Sequence, residues 1–431
     1  MLKQFRGRVL NLTWKHLQAF LQKSLLSISL FLKNELINHA GACAFFFFLS
    51  ITPLFLLILI SFDRYLASYP NVSAHFFDFL KTINENLDKD FLVKIGLLNV
   101  NATAIGIFGI INLLWAGRWV IIGIQRGLGI IFAAEKARPP IMVNILSFLF
   151  LSILLLISVL VTFLSIGFKL LESILSENLM IQTLFQSILP LLKSVLPVLM
   201  TFLVIFAAYR FVPIKRPKTL PSLVGAAFCS LSVILLHILF AKFFNVARYN
   251  VIYGVLGSLI MMVLWMHFSF MLFFFFAEFT FVSDKIDILV LERMYLFRSH
   301  QDTKGKKIGK FLFSHPKQTF EKYAIHYSPG DILFREGDSS TDIYFIYQGS
   351  IGIYRTVNEI ERKIAVIQEG EIFGETAYLL EETRTATAKA ETDTILMVIT
   401  PDIFEELLLV NRTVSRDVIQ TLSNRLRKIS S

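Results

Sequence analysis

The chain has 431 residues, 55% of them hydrophobic, with 43 phenylalanines and a mean hydropathy of +0.63, a composition that excludes a wholly soluble protein. Its net charge of +10 divides unevenly, because residues 1–318 carry 30 basic and 14 acidic side chains and residues 319–431 carry 12 and 18. The positive charge therefore belongs to the apolar part. Basic loops on the cytoplasmic side of a membrane explain it better than a nucleic-acid surface, and we expect no nucleic-acid partner.

The predicted elements begin with a basic amphipathic segment at residues 1–40. Apolar residues recur there at helical spacing, and residues 1–33 contain no carboxylate. Such a helix is suited to lie along an anionic membrane face, or equally to pack on a membrane-embedded helix bundle. The apolar positions are Leu10, Leu17, Leu21, Leu25 and Ile28, and the basic ones are Lys3, Arg6, Arg8, Lys15, Lys23 and Lys33.

Residues 41–283 are predicted to form an all-α polytopic membrane domain. Six apolar stretches are each long enough to cross a bilayer, which makes lipid the main partner of this domain. Cys43 and Cys229 both lie inside these stretches, so the sequence predicts neither a disulfide framework nor a metal site. The six predicted transmembrane helices are 41–62, 98–117, 141–166, 186–209, 220–241 and 254–282.

Basic side chains precede the odd-numbered spans, where they outnumber the two carboxylates Glu35 and Glu135. Because positive loops stay inside and the number of spans is even, we expect both termini in the cytoplasm. Besides the six basic residues of the first segment, the set comprises Arg118, Arg126, Lys136 and Arg138, then Arg210, Lys215, Arg216 and Lys218.

Short motifs occur along this domain in a fixed order. They are Thr52-Pro53, Leu114-Trp115-Ala116, Tyr209-Arg210-Phe211-Val212-Pro213, Tyr253-Gly254-Val255-Leu256-Gly257-Ser258 and Ala277-Glu278-Phe279. Residues 35–283 thereby resemble the BrkB/YihY family of bacterial inner-membrane proteins, once catalogued as ribonuclease BN. The resemblance implies a multi-pass body in the inner (plasma) membrane, with a transport or an enzymatic activity.

The carboxylates of this domain argue against an enzyme. Metal-assisted phosphodiester cleavage needs convergent carboxylates or histidines, yet residues 178–277 contain no Asp or Glu. We therefore predict no catalytic and no metal-binding residues. Glu278 is a functional candidate because it is ionisable at membrane depth, or else it pairs with a loop cation near the cytoplasmic end of its helix; both interpretations stay open.

Residues 284–318 are predicted to be a helical extension of the last span followed by a basic linker. Residues 319–431 then show short alternating apolar runs separated by glycine turns, which predicts a meander of strands. Two helices are expected after the strands, at 401–409 and 411–429. The turns are Ser328-Pro329-Gly330-Asp331, Glu336-Gly337-Asp338, Gln348-Gly349-Ser350 and Glu369-Gly370-Glu371.

The stretch from Phe373 to Ala388, which we call the cassette, carries the candidate binding residues. A glycine and small residues let the backbone close around an anion, and Arg384 adds a permanent cation with forked donors. An ordinary β-turn with two surface charges is the alternative interpretation. The candidate ligand-binding residues are Gly374, Glu375, Thr376, Ala377, Arg384, Thr385 and Ala386.

The cassette resembles the phosphate-binding cassette of cyclic nucleotide-binding domains, over about residues 320–428. The resemblance implies a cytoplasmic β-roll (jelly roll) with flanking helices, in which Glu375 takes the ribose 2′-hydroxyl and Arg384 with the following small residues takes the cyclic phosphate. The family often has Pro before the Arg, where this chain has Thr383. Thr385 places a hydroxyl directly after the arginine, as in cGMP-selective members of the family. A single hydroxyl does not decide the ligand, so cAMP and cGMP are expected about equally.

These features together predict a multi-domain, cyclic-nucleotide-regulated membrane protein that is transporter-like, not an enzyme, and has no cofactor apart from its regulatory ligand, cAMP or cGMP. A membrane scaffold whose nucleotide domain serves assembly is the alternative, and a membrane-associated ribonuclease is a weaker one. Association into a homo-oligomer is left open.

Overall fold

A computed structural model gives the fold. It describes residues 2–61, 102–132, 138–149, 179–243, 255–299, 313, 316–357, 360–410 and parts of 415–423. The predicted loop at 63–97, the third span beyond residue 149, most of the linker and the second terminal helix lie largely outside the described residues. The chain divides into two compact units, residues 27–284 and residues 1–26 with 285–431.

The described residues of the unit 27–284 are mostly helical, as the apolar sequence predicts. Helices cover each predicted span in full or in part, and two of them contain stretches long and apolar enough to cross a membrane, Thr219–Lys242 and Leu259–Asp284. Among the described residues up to 284, the helices are α1 (Leu2–Lys33), whose residues 2–26 belong to the other unit, α2 (Leu36–Ser61), α3 (Ala102–Ile131), α4 (Pro140–Leu149), α5 (Leu179–Phe211), α6 (Thr219–Phe243) and α7 (Val255–Asp284).

Aromatic and small residues form the core of this unit. Leu36, Cys43, Tyr209 and Phe274 are fully buried there, while Leu231 of α6 keeps 64% of its surface exposed. The Tyr209 hydroxyl donates a 2.7 Å hydrogen bond to the Phe273 carbonyl, which ties α5 to α7. Apolar surface that faces outward from a helical bundle is suited to lipid rather than water.

Close helix contacts depend on glycines where a larger residue would collide. A Cβ atom on Gly225 of α6 would lie 1.9 Å from Oγ1 of Thr280 on α7. Likewise, a Cβ on Gly123 of α3 would lie 2.8 Å from the sulfur of Cys43 on α2. Small residues allow helix backbones to approach closely in membranes.

The second unit contains a β-roll, whose strands are β1 (Ala324–Tyr327), β2 (Ile332–Phe334), β3 (Ile343–Gln348), β4 (Ile351–Val357), β5 (Ile360–Ile367), β6 (Ile372–Phe373), β7 (Thr387–Ala390) and β8 (Thr394–Ile399). They form two antiparallel four-stranded sheets, with strand orders β1-β8-β3-β6 and β2-β7-β4-β5. The helices are α8 (Ile286–Ser299), α9 (Lys317–Tyr323), α10 (Glu375–Leu379) and α11 (Pro401–Val410).

The two sheets enclose an apolar core that includes Ile346, Ile351, Ala388 and Leu396, all fully buried. Core residues recur at every second position of β3, at Tyr344 and Ile346, as the period of two predicts, but Phe345 and Tyr347 on the other face of this strand are buried as well. The predicted two-domain layout, a helical region followed by a β-sheet domain, is thereby confirmed. Helix α8 lies within the second unit, although the sequence assigned residues 284–318 to an extension and a linker.

Candidate functional site

The cassette connects the two sheets through one short helix. Strand β6 ends at Phe373, Gly374 turns the chain with φ of +82°, and α10 follows directly from Glu375 to Leu379. A second turn, with Glu381 at φ of +53°, leads to Arg384 and then to β7. The predicted glycine turn, helix and arginine are therefore consecutive elements of one loop.

Arg384 is nearly buried, with 2% of its surface exposed, and its guanidinium is held by three hydrogen bonds. Nη1 donates to the Gly374 carbonyl at 2.7 Å, and Nη2 donates to the Asp342 carbonyl at 2.6 Å. Nε donates to the hydroxyl of Ser340 at 3.0 Å. The bonds fix the plane of the guanidinium at the base of the cassette.

Aromatic rings and the backbone also hold Arg384. The guanidinium carbon lies 4.2 Å from the centroid of the Phe334 ring, a cation–π contact. The Arg384 N–H donates to the Asp338 carbonyl at 2.8 Å, and the Gly337 N–H donates to the Arg384 carbonyl at 2.8 Å. Burial lowers the pKa of Arg384, while the negative groups around it, including Glu375, act in the opposite direction. The arginine remains a cation at every physiological pH.

Glu375 is the second buried charge of the cassette, with 2% of its surface exposed. Of the other predicted residues, Ala377 and Ala386 are buried, Gly374 and Thr376 are half-buried, and Thr385 is exposed. A buried carboxylate near a buried guanidinium is rare unless both are paired or bind a ligand. This arrangement is unlike that of two surface charges on a β-turn.

The arrangement has the chemistry to bind a ligand that carries an anionic group next to a hydroxyl group. Among the described residues, three of the five N–H groups of Arg384 donate to Ser340, Gly374 and Asp342, and Tyr344 also interacts with the guanidinium, so its positive charge rather than a set of free donors is what suits it to a phosphate. The Glu375 carboxylate is an acceptor that suits a sugar hydroxyl. Thr385, with its exposed hydroxyl, follows the arginine directly.

Sequence reasoning missed the residues that orient the arginine. The rings of Phe334 on β2 and Tyr344 on β3 lie against its guanidinium. Ser340 and Asp342, in the loop between these strands, accept hydrogen bonds from it. The turn at Glu336-Gly337-Asp338 was the only available signal, because it marks where the chain approaches the cassette. A bond to a backbone carbonyl leaves no side-chain pattern from which to predict it.

A cavity of about 670 Å³ is lined in part by the middle of the cassette but not by its two buried charges. Neither Glu375 nor Arg384 lines it. Hydroxyl and carboxylate side chains dominate its wall, which is formed by Ser339, Thr341, Tyr378, Leu379, Glu381, Glu382, Thr383 and Pro401.

Glu278, in the helical unit, is fully buried on α7. Its Oε2 accepts a 3.2 Å hydrogen bond from Nδ2 of Asn34, in the turn between α1 and α2. Among the described residues no hydrogen-bond partner lies near Oε1, and the bonded neighbour is an amide rather than the loop cation that one interpretation expected. The other interpretation, a functional carboxylate, stays a prediction.

The fold and the cassette together define a helical membrane-type protein that carries a cyclic nucleotide-binding domain. Residues 324–411 match the cyclic nucleotide-binding domain family. Residues 27–288 match the family described as virulence factor BrkB, and the chain belongs to that family. The resemblances inferred from the motifs of both halves are thereby confirmed.

Individual relatives match one half of the chain each. The cyclic AMP receptor protein of Thermus thermophilus is 31% identical over 103 residues, which are 24% of this chain and 48% of that protein. The putative ribonuclease-like protein YfkH of Bacillus subtilis is 26% identical over 235 residues, which are 54% of this chain and 84% of that protein. The chain thus spans about half of the receptor's length.

Among solved structures, the EAL enzyme Bd1971 in its cAMP-bound form is 30% identical, with 25% of this chain and 29% of that chain covered and a TM-score of 0.21. The Thermus thermophilus catabolite activator protein is 25% identical, with 32% and 60% covered and a TM-score of 0.26.

Proposed function

We propose that this chain is a membrane protein whose cytoplasmic domain binds a cyclic purine mononucleotide and thereby regulates a transporter-like body. The buried pair of Glu375 and Arg384 in the cassette, fused to a BrkB-family region, carries the proposal. Arg384 takes the cyclic phosphate, and Glu375 takes the ribose hydroxyl. The names of relatives, a cyclic AMP receptor and a cGMP-dependent protein kinase of Eimeria tenella, support this ligand class.

The proposed body has six spans in the inner membrane and both termini in the cytoplasm. Helices at the predicted spans and the basic loops before the odd-numbered spans support this topology. Reporter fusions at residues 70, 215 and 431 test it, because we expect periplasmic activity only at residue 70. Periplasmic activity at residue 431 would overturn both the orientation and the sensor.

The binding experiment uses the full chain in nanodiscs, titrated by calorimetry with cAMP, cGMP and, as a control, noncyclic 5′-AMP. Arg384→Lys keeps the positive charge but lacks the forked N–H donors of the guanidinium. Charge-assisted hydrogen bonds contribute about 1.5–3 kcal/mol each, so we expect nucleotide binding to weaken about ten- to several hundred-fold. Glu375→Gln should cost less. Arg355→Lys, at an exposed arginine of β4, is the matched control and should bind as wild type does.

If neither cyclic nucleotide binds at millimolar concentration, or if Arg384→Lys binds as well as wild type, the sensor is refuted. The alternative, a membrane scaffold with a nucleotide-type assembly domain, would then take its place. We also propose that the protein is not a nuclease, because residues 178–277 contain no carboxylate. RNA cleavage that survives purification and disappears with a single Asp, Glu or His substitution would refute that.

A further inference from the structure

Arg118 is a half-buried cation inside the helical unit. It lies in the middle of α3, which is continuous at this point, so it does not belong to a loop. Its Nε and Nη2 donate to Oδ1 of Asn144 on α4 at 3.2 and 2.7 Å. The guanidinium carbon also lies 5.5 Å from the centroid of the Trp119 ring. Both partners are neutral, so the positive charge of Arg118 is held in place without being neutralised.

No carboxylate in the described part of this unit compensates that charge. The described residues from 36 to 277 include several Lys and Arg side chains but no Asp or Glu. Removing a charge from water is costly unless an opposite charge pairs with it. The positive-inside rule accounts for an exposed arginine such as Arg126, but it does not require Arg118 to be half-buried. An anionic ligand would supply the missing counter-charge.

Two further arginines lie close together near the start of α4. Arg138 comes two residues before this helix, and Arg216 lies between α5 and α6. Burial lowers the pKa of Arg138, and the positive charge of Arg216 lowers it further. The two arginines therefore repel each other. A positive potential of this kind favours the binding of an anion.

A second polar contact joins α3 to α4. Nε2 of Gln125 donates to Oγ of the fully buried Ser147 at 3.2 Å, and that hydroxyl donates to the Val143 carbonyl at 2.7 Å. The described residues supply no hydrogen-bond donor to the buried Oε1 of Gln125. Unpaired buried acceptors are rare in folded proteins, so a ligand atom or a water is the expected donor. The contact between these helices is polar at two levels, in contrast to the aromatic core of the unit.

From these observations we propose that the contact between α3 and α4 is an anion site of the membrane body, in which Arg118 binds an oxyanion and Asn144 positions the arginine. A guanidinium matches the oxygens of a phosphate or a carboxylate. Because Arg138 and Arg216 add positive charge at the start of the same helix, a multiply charged anion of the phosphate type is favoured. The source is either a free ion or the phosphate of an anionic lipid headgroup. This inference rests on the proposed transporter-like body and assigns the charge of what that body accepts.

The test measures binding of radiolabelled inorganic phosphate to the full chain in maltoside detergent, which contains no phosphate group. Chloride is held constant, and no cyclic nucleotide is present. We expect saturable binding to the wild type, and Arg118→Gln should weaken it at least about tenfold because a charge-assisted contact is lost. The matched control is Arg126→Gln, at an exposed position of the same helix, which should bind phosphate within about twofold of wild type.

Asn144→Asp separates a binding site from a purely structural contact. The aspartate keeps an acceptor for Arg118, so the unfolding temperature should not fall. Its negative charge neutralises the arginine and competes with the ligand, so phosphate binding should weaken at least about tenfold. A purely structural contact between α3 and α4 would instead leave phosphate binding unchanged in this variant.

Added phosphatidylglycerol distinguishes the two sources of the phosphate group. A lipid headgroup site predicts that this lipid displaces phosphate from the wild type and is itself retained less by Arg118→Gln, whereas a site for a dissolved anion predicts no displacement. The anion site is refuted if neither phosphate binding nor retention of phosphatidylglycerol depends on Arg118. Because the assay contains no cyclic nucleotide, that result would leave the proposed nucleotide sensor standing.

Discussion

The carbonyl oxygen of Gly374 lies 2.7 Å from Nη1 of Arg384, so the first residue of the cassette turn directly holds the arginine that follows ten residues later. The same glycine has φ of +82°, and a Cβ atom on it would lie 2.9 Å from that Nη1. Backbone conformation and arginine position therefore depend on one residue without a side chain.

We expect Gly374→Ala to destabilise the protein and also weaken nucleotide binding. The left-handed conformation costs about 1–2 kcal/mol with a Cβ, and the guanidinium must move. Gly330→Ala is the matched control, since Gly330 has φ of +90° with nothing within 4 Å of its Cβ position. Thermal unfolding and calorimetry should show a stability loss in both variants but weaker binding only in Gly374→Ala. Equal binding by the two variants would contradict the prediction.

Gly225→Ala should disrupt the contact between α6 and α7. The added Cβ would lie 1.9 Å from Oγ1 of Thr280 and 3.2 Å from the Phe276 carbonyl, so the helices must separate. Overpacking of this kind costs about 1–3 kcal/mol. Gly129→Ala, with nothing within 4 Å, is the control and should be tolerated. Thermal unfolding in detergent measures the stability of both variants. A Gly225 variant as stable as the Gly129 variant would contradict the prediction, because it would show that α6 and α7 accommodate the added methyl group.

The hydrogen bond between Asn34 and Glu278 should contribute to stability. Asn34→Leu leaves the Glu278 carboxylate buried without that donor, which we expect to cost about 1–3 kcal/mol. In a Glu278→Leu background the same substitution should cost much less, because the carboxylate is then gone. A double-mutant cycle from unfolding in detergent gives the coupling. Additive effects would mean that the bond contributes nothing.

The carboxylate of Glu391 should make the outer face of the β-roll sensitive to acid. It lies 2.8 Å from Nζ of Lys363 and accepts a 2.6 Å hydrogen bond from Tyr354, and these bonds lower its pKa from the usual 4.5. Its stabilisation is therefore present above pH 4.5 and is lost as the pH falls through the lowered pKa.

The measurement is the stability difference between wild type and Glu391→Gln as a function of pH. We expect this difference to be constant from pH 6 to 8 and to shrink in more acidic solution and at high salt, because the pair is exposed. A difference that grows in acid would refute the assignment.

The sequence identified the candidate residues of the cassette but not the residues that hold them in place. Glycine turns and the charges of Glu375 and Arg384 leave a signature in residue type, because glycine adopts positive φ without strain and only a few residue types carry a charged side chain. The partners of Arg384 were not predicted, since two of them are the backbone carbonyls of Gly374 and Asp342. Any residue supplies a carbonyl, so only the folded chain identifies which one lies close.

The place of α8 was also beyond the sequence. Its mixture of apolar and charged residues predicts a helix, but the pattern does not reveal what covers the apolar side chains. The same limit applies to Glu278, whose amide partner Asn34 lies 244 positions away. Local patterns define elements, whereas contacts between distant residues depend on how those elements pack.

The inclusion of α8 in the β-roll unit determines where the chain can be cut for experiments on a soluble fragment. A fragment that begins at residue 319 matches the strand region, but it discards Tyr295 and uncovers the side of Phe345 against which that ring packs. Glu406 would lose Lys285 as well. We therefore expect such a fragment to aggregate in solution, and expression trials should include residues 285–318 together with residues 1–26, which belong to the same compact unit.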